Sequence, residues 1–327
     1  MLNLALRKRP YGKQNALVLI LCVSLLLCAL PFLQACSSSA TSKASKNSTE
    51  VQQTGQTGQA EQEVLKLGFV PLLDSEKLVD EIKPLEAALS KELNRPVEAF
   101  VASSYVGVVQ ALNSGQIQMA YIPPLAYVLA HEESGAQCAL VALNAKGESS
   151  YKSEILVRKD SSIQSLADLK AKRVAFVDPS STSGYLFPAS MIKEQGIDLE
   201  KDLNLVFSGG HDKSLQLLLN SEVDAIGSFA GISKRYAKDF PEAPEQTRVL
   251  ATSQAIPSIT LAFNKDLPED LGSQIKAAFI KISKDEQGAT MLKELFNIHG
   301  FAEAQDSDYE AVRSTAKLMD IDLAAIK

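Results

Sequence analysis

Short apolar runs alternate along the chain with longer stretches in which apolar side chains recur every third or fourth position. Runs at 65–70, 97–101, 119–122, 138–143, 155–158, 174–177, 205–207, 225–227, 249–251 and 259–263 predict β-strands. Stretches at 84–93, 106–112, 189–194, 214–219 and 273–283 carry the helical period instead. Strand–helix alternation predicts an α/β fold, with parallel sheets covered by helices on both faces. No segment of the sequence repeats at the period of a solenoid or propeller.

The length suits two such sheets better than one. The polar turn Arg158-Lys159-Asp160-Ser161-Ser162 interrupts the pattern and leads into a short helix at 165–170. A second interruption at 252–257 predicts a return crossing. The two crossings divide the body into a discontinuous lobe, 64–157 plus 257–327, and a continuous lobe, 158–256. Ligands of open α/β sheets bind outside the carboxyl ends of the strands, so the cleft between the lobes is the expected site.

The N-terminal pattern is of another kind. Arg7, Lys8, Arg9 and Lys13 precede an apolar stretch at 16–33, followed by Gln34-Ala35-Cys36. A basic segment, an apolar segment and a small residue before the cut mark a secretory signal. The cysteine after the small residue resembles a bacterial lipobox, which implies a signal peptide at 1–35 and lipidation of Cys36. Gln34 is not the commonest residue at its place. This 18-residue stretch is also just long enough to serve as an uncleaved anchor. Either route puts the rest of the chain on the outer side of the cytoplasmic membrane. Residues 36–63 are rich in Ser, Thr, Gln and Gly with almost no large apolar side chain, and read as a flexible tether.

Charge and cysteine narrow the function classes. Without residues 1–35 the chain holds 29 basic against 39 acidic residues, a net charge of −10. Nucleic acid and anionic membrane surfaces are poor partners for it. Cys138 is the one cysteine beyond Cys36, so no intramolecular disulfide and no metal cluster is expected. No cofactor is expected either. The chain lacks the Gly-x-Ser-x-Gly, His-Glu-x-x-His, Walker and Gly-x-Gly-x-x-Gly signatures, and with three histidines it offers few general bases. A non-enzymatic binding role is the expectation.

Candidate chemistry gathers at strand ends. The run 174–177 leads into Asp178-Pro179-Ser180-Ser181-Thr182-Ser183-Gly184, and 97–101 into Ala102-Ser103-Ser104-Tyr105. Run 119–122, which contains Tyr121, leads into Pro123-Pro124, and 205–207 into Ser208-Gly209-Gly210-His211. Each is a place where a helix begins, and a helix N-terminus presents unpaired N–H groups and the positive end of its dipole. Several converging on one cleft would hold an oxyanion. One of Ser180 or Ser181 is needed as a cap. That leaves Thr182, Ser183 and His211 for a ligand, with Gly184 expected to allow its close approach. His131 and His299 have no such context.

These motifs, with SGGHDKSLQLLLNSEVDA and SSYVGVVQALNSGQIQMAYI around them, resemble the phosphonate/phosphite substrate-binding proteins of ABC importers, over essentially all of 64–327. The resemblance implies a type II periplasmic-binding fold, two lobes that close on a ligand, and a monomer. It implies phosphorus oxyanions as ligands and an ABC permease with its ATPase as partners. It further implies that Ser181, Thr182 and Ser183 bind oxygens, that His211 is a further donor, that Tyr105 walls the pocket and that Tyr121 fills an aromatic position. A sensor subunit presenting such an anion to a membrane receptor is the alternative; gene neighbours would separate the two. Relatives that take aminoalkyl phosphonates use carboxylates to hold the ammonium. The corresponding segments here, 226–231 and 256–260, contain no acid.

Overall fold

The computed structural model describes residues 63–71 and 75–323. The expected signal peptide, Cys36 and the tether as far as residue 62 lie outside them. In chain order the first half holds β1 (Leu65–Phe69), α1 (Ser75–Leu93), β2 (Val97–Val101), α2 (Tyr105–Asn113), β3 (Met119–Ile122), α3 (Pro124–Ser134), β4 (Gln137–Leu143), β5 (Ser150–Tyr151), β6 (Ser153–Arg158) and β7 (Arg173–Phe176). Then follow α4 (Phe187–Lys193), β8 (Asn204–Phe207), α5 (His211–Leu219), β9 (Ala225–Phe229), α6 (Ile232–Arg235), α7 (Ala243–Gln246), β10 (Thr247–Thr252), β11 (Ile256–Pro257), β12 (Thr260–Phe263), α8 (Glu269–Lys284), α9 (Glu286–Phe296), β13 (Gly300–Glu303) and α10 (Glu310–Leu318).

Two main sheets form. One has the order β13-β4-β12-β3-β1-β2, the other β10-β6-β9-β7-β8. Neither is wholly parallel, contrary to the sequence expectation. β1 pairs in parallel with β2 and β3, and β7 with β8 and β9. β12 is antiparallel to β3 and β4, and β6 to β9 and β10. β13 is antiparallel to β4 as well; of these reversed strands, β6 and β12 directly follow the connections between the sheets.

The connections themselves pair. β5 and β11 form a two-stranded ribbon, with Ile256 opposite Tyr151 and Pro257 opposite Ser150. β6, which the sequence reading assigns to the first lobe, hydrogen-bonds within the second sheet. The first crossing therefore falls between Tyr151 and Ser153, several residues before 157–158.

Helix α1 illustrates how the core is built. Leu78, Ile82, Leu85 and Leu89 fall on one face at helical spacing and are buried beneath the first sheet, with Phe69, Tyr121 and Phe279 in the same cluster. Pro84 sits inside this helix on its exposed side. The second sheet buries Leu156, Ala175, Leu215 and Ile226 on one face. A larger core joins the two lobes behind the cleft: Val108, Leu112 and Leu125 from the first meet Phe176, Leu186 and Phe187 from the second, with Val312 and Ala316 of α10. Among the described residues no helix is long and apolar enough to cross a membrane.

Candidate functional site

Four strand ends deliver helices to the same cleft. After β2, the Ser104 hydroxyl accepts the Gly107 N–H at 3.1 Å and caps α2, so Tyr105 is its first residue. β3 runs into Pro123 and then Pro124, a residue suited to a first helical turn, and opens α3. β8 ends at Phe207 and is followed by Ser208, Gly209 takes a left-handed φ of 81°, and Gly210 precedes His211 as the first residue of α5.

The fourth end is the serine-rich turn after β7. The Ser181 hydroxyl accepts the Gly184 N–H at 3.1 Å, so Ser181 is the cap. Residues Thr182–Leu186 form a wide π-turn ahead of α4, with the Leu186 N–H reaching back five residues to the Ser181 carbonyl at 3.0 Å. Such a turn leaves its first N–H groups without intrahelical acceptors. Gly184 has a different role from the one expected. A Cβ there would lie 2.5 Å from the Val177 side chain, and the Val177 N–H donates to the Gly184 carbonyl at 3.1 Å. Glycine is required so that the turn can pack on the end of β7.

These ends enclose a cavity of about 640 Å³, lined among others by Tyr105, Tyr121, Tyr151, Ser181, Ser183 and His211. Five of the six residues expected to contact a ligand therefore meet in one place. Thr182 does not join them. It is fully buried, and its Oγ1 accepts the Leu125 N–H from the first turn of α3 at 2.8 Å. A larger, more open groove of about 1100 Å³ lies against α1 and α9, away from these strand ends.

The polar groups at the strand ends of the cavity are neutral. Burial pushes the Tyr105 and Tyr121 hydroxyls well above the usual phenol range. Burial also raises Tyr151, to about 12, against the opposing pull of the Ser183 and Thr182 hydroxyls. His211 is desolvated until its pKa falls to about 3, so it is an uncharged imidazole at neutral pH. Its Nδ1 lies 2.7 Å from the Ser228 Oγ, and its ring packs edge-on against Phe229 at 4.8 Å. If the Ser228 hydroxyl donates to Nδ1, the other ring nitrogen carries the proton and is free to donate. The Tyr105 hydroxyl is buried beside Ser181, without hydrogen-bonding geometry to any described group. None of the described residues lining the cavity is acidic.

The description "ABC transporter, phosphonate, periplasmic substrate-binding protein" belongs to the family whose profile matches residues 67–309. The chain is a member of that family. It is 29% identical over 270 residues to the phosphate-import protein PhnD of Mycolicibacterium smegmatis, covering 77% of this chain and 84% of that protein. It is 25% identical over 239 residues to the phosphonates-binding periplasmic protein of Escherichia coli, covering 72% and 71% respectively. A binding-protein component of an ABC phosphonate transporter from Pseudomonas aeruginosa shares the fold with a TM-score of 0.74 at 23% identity, over 79% of this chain and 87% of that one. PhnD1 of Prochlorococcus marinus, solved in complex with methylphosphonate, gives 0.71 at 20% identity, over 79% and 99%. The two-lobed architecture is thus that of the family.

Two residues in or beside this family member's cleft escape a reading of the sequence. Tyr151 lies on a two-residue strand that follows a polar loop, and nothing local marks it as a pocket residue. Asp178 opens the serine-rich turn. Its carboxylate accepts the Ser180 N–H at 2.7 Å and also the Tyr105 N–H of the facing lobe. Burial raises its pKa while those N–H groups pull it down. A carboxylate placed where an orphan helix N–H waits is a recognisable signal, but only once the two lobes are known to face each other.

Proposed function

We propose that the protein captures a small phosphorus oxyanion (an alkyl phosphonate, phosphite or phosphate) outside the cytoplasmic membrane and hands it to an ABC permease driven by its ATPase. The observation that supports this best is the buried Tyr105 hydroxyl beside Ser181, unsatisfied in a cavity whose other donors include Ser183, Tyr151 and a neutral His211. A buried hydroxyl without a partner is costly, and an anion's oxygen would supply one. Hydroxyls both donate and accept, so they suit an anion that can keep a proton on one oxygen.

Capture needs no covalent step. The lobes, 64–151 plus 257–323 and 153–255, close about the ribbon of β5 and β11, and the ligand's oxygens complete the hydrogen bonds of both. Lipid on Cys36 and the tether that follows would hold the body, a monomer, near its permease. Isothermal titration with phosphate, phosphite and methylphosphonate tests the reading: at least one should bind, and Ser183→Ala should weaken it. Failure of all three to bind would overturn the assignment.

A further inference from the structure

The oxyanion end accounts for only part of the cavity. Its volume of about 640 Å³, in a cleft still open to solvent, is more than an ion of five heavy atoms such as methylphosphonate fills. Beyond His211 the walls turn apolar. Phe229 packs on His211 at 4.8 Å and on Tyr236 at 6.1 Å, and Phe296 faces Tyr121 at 5.3 Å. Ile259 lines the same stretch.

Two cations also line the cavity, Lys234 and Arg235, and they differ in what holds them. The Arg235 guanidinium is already engaged: one nitrogen donates to the Glu294 and Leu295 carbonyls at the end of α9, at 2.9 and 2.8 Å. Among the described residues no carboxylate lies within ion-pair distance of the exposed Lys234 ammonium. The lining thus combines neutral donors, aromatic rings and a positive charge without an ion-pair partner among the described residues.

We infer that the site is built for a phosphonate whose substituent is a short alkyl chain ending in a carboxylate, with Lys234 the residue that selects the distal anion. This rests on the phosphorus-oxyanion reading above and names the ligand class within it. The aromatic belt takes the methylenes. The same arrangement disfavours a distal ammonium, which would meet like charge and no acid among the described lining residues.

The test compares matched pairs: phosphonoacetate, phosphonopropionate and phosphonobutyrate against ethyl-, propyl- and butylphosphonate, by isothermal titration on the whole protein. At least one carboxylate-ended member should bind about fivefold tighter than its methyl-ended partner, the upper end of what a solvent-exposed ion pair contributes. In Lys234→Gln that ratio should fall to about one, and in Lys234→Glu it should invert. Because each ratio is taken within one variant, a loss of folded protein does not imitate the effect. The inference is overturned if the methyl-ended ligands bind as well in the wild type, or if Lys234→Gln leaves the ratio intact. Binding of phosphate or methylphosphonate in the same experiment keeps the broader reading standing; absence of all binding removes both.

Discussion

Thr182 Oγ1 accepts the Leu125 N–H at 2.8 Å, joining the serine-rich turn of one lobe to the first turn of α3 on the other. The bond uses a hydroxyl and an N–H that, read separately, each look like a ligand donor. Paired, they hold the two lobes in register behind the cavity instead.

Thr182→Ala should therefore act on stability before affinity. It removes a buried hydrogen bond and strands the Leu125 N–H, which costs about 1–3 kcal/mol. For a domain of this size Tm should drop by about 2–4 °C per kcal/mol, and Thr182→Ser should restore most of it. Calorimetric melting without ligand checks this. Unchanged melting with weakened phosphonate binding would return Thr182 to the anion's shell.

Ser183 should show the converse. Its hydroxyl lines the cavity and neighbours Tyr151. Ser183→Ala removes a hydrogen bond to a charged group, worth about 1.5–3 kcal/mol, so Kd should rise at least about tenfold. The melting temperature without ligand should hardly move. Titration calorimetry and melting on the same preparation separate the two effects.

His211 gives a pH signature. Folding buries it as a neutral ring with a pKa near 3, below the ordinary 6.5. Between those values the unfolded chain binds a proton that the folded one refuses, so acid favours unfolding. The contribution is complete above pH 6.5 and is lost as pH falls toward 3, by up to about 1.4 kcal/mol per pH unit. His211→Asn should flatten that part of the stability curve relative to wild type, measured by urea unfolding at pH 7, 6 and 5. Parallel curves for the two proteins would place a charged, solvated ring at 211.

The contrast between Thr182 and Ser183 also marks the limit of what the sequence makes legible. Caps, strand ends and the Gly-Gly turn before His211 are local, and they locate the cavity because a helix N-terminus is specified by the few residues around it. The partner of Thr182 stands 57 positions away, and no local pattern carries it. The same holds for Tyr151, whose strand exists only by pairing with Ile256. Pro84 misleads in a different way. Proline favours a helix start, yet α1 begins at Ser75, and the period of Leu78, Ile82, Leu85 and Leu89 outweighs the one lost bond. Antiparallel β6 and β12 follow from the crossings, which composition places only to within several residues.

Selectivity among anions rests on what lines the cavity. Ala230, Gly231, Ser258 and Ile259 all line it, and no described lining residue is acidic. An ammonium brought there would be partly desolvated with Lys234 and Arg235 as its charged neighbours, at a cost of several kcal/mol. Aminoethylphosphonate should therefore stabilise the protein less than methylphosphonate in a thermal-shift panel. Sulfate should also rank low. It has no proton at neutral pH, so the tyrosine and serine oxygens that could accept one from a phosphonate would go unused. Supplying acids should change the order: Ala230→Glu with Ile259→Asp ought to raise aminoethylphosphonate relative to methylphosphonate by about tenfold, the factor given by roughly 1.4 kcal/mol. Strongest stabilisation of the wild type by aminoethylphosphonate would show that the ammonium finds an acceptor elsewhere in the cleft. Strongest stabilisation by sulfate would mean that the hydroxyls act only as donors, and that the preference for a phosphorus anion has another source.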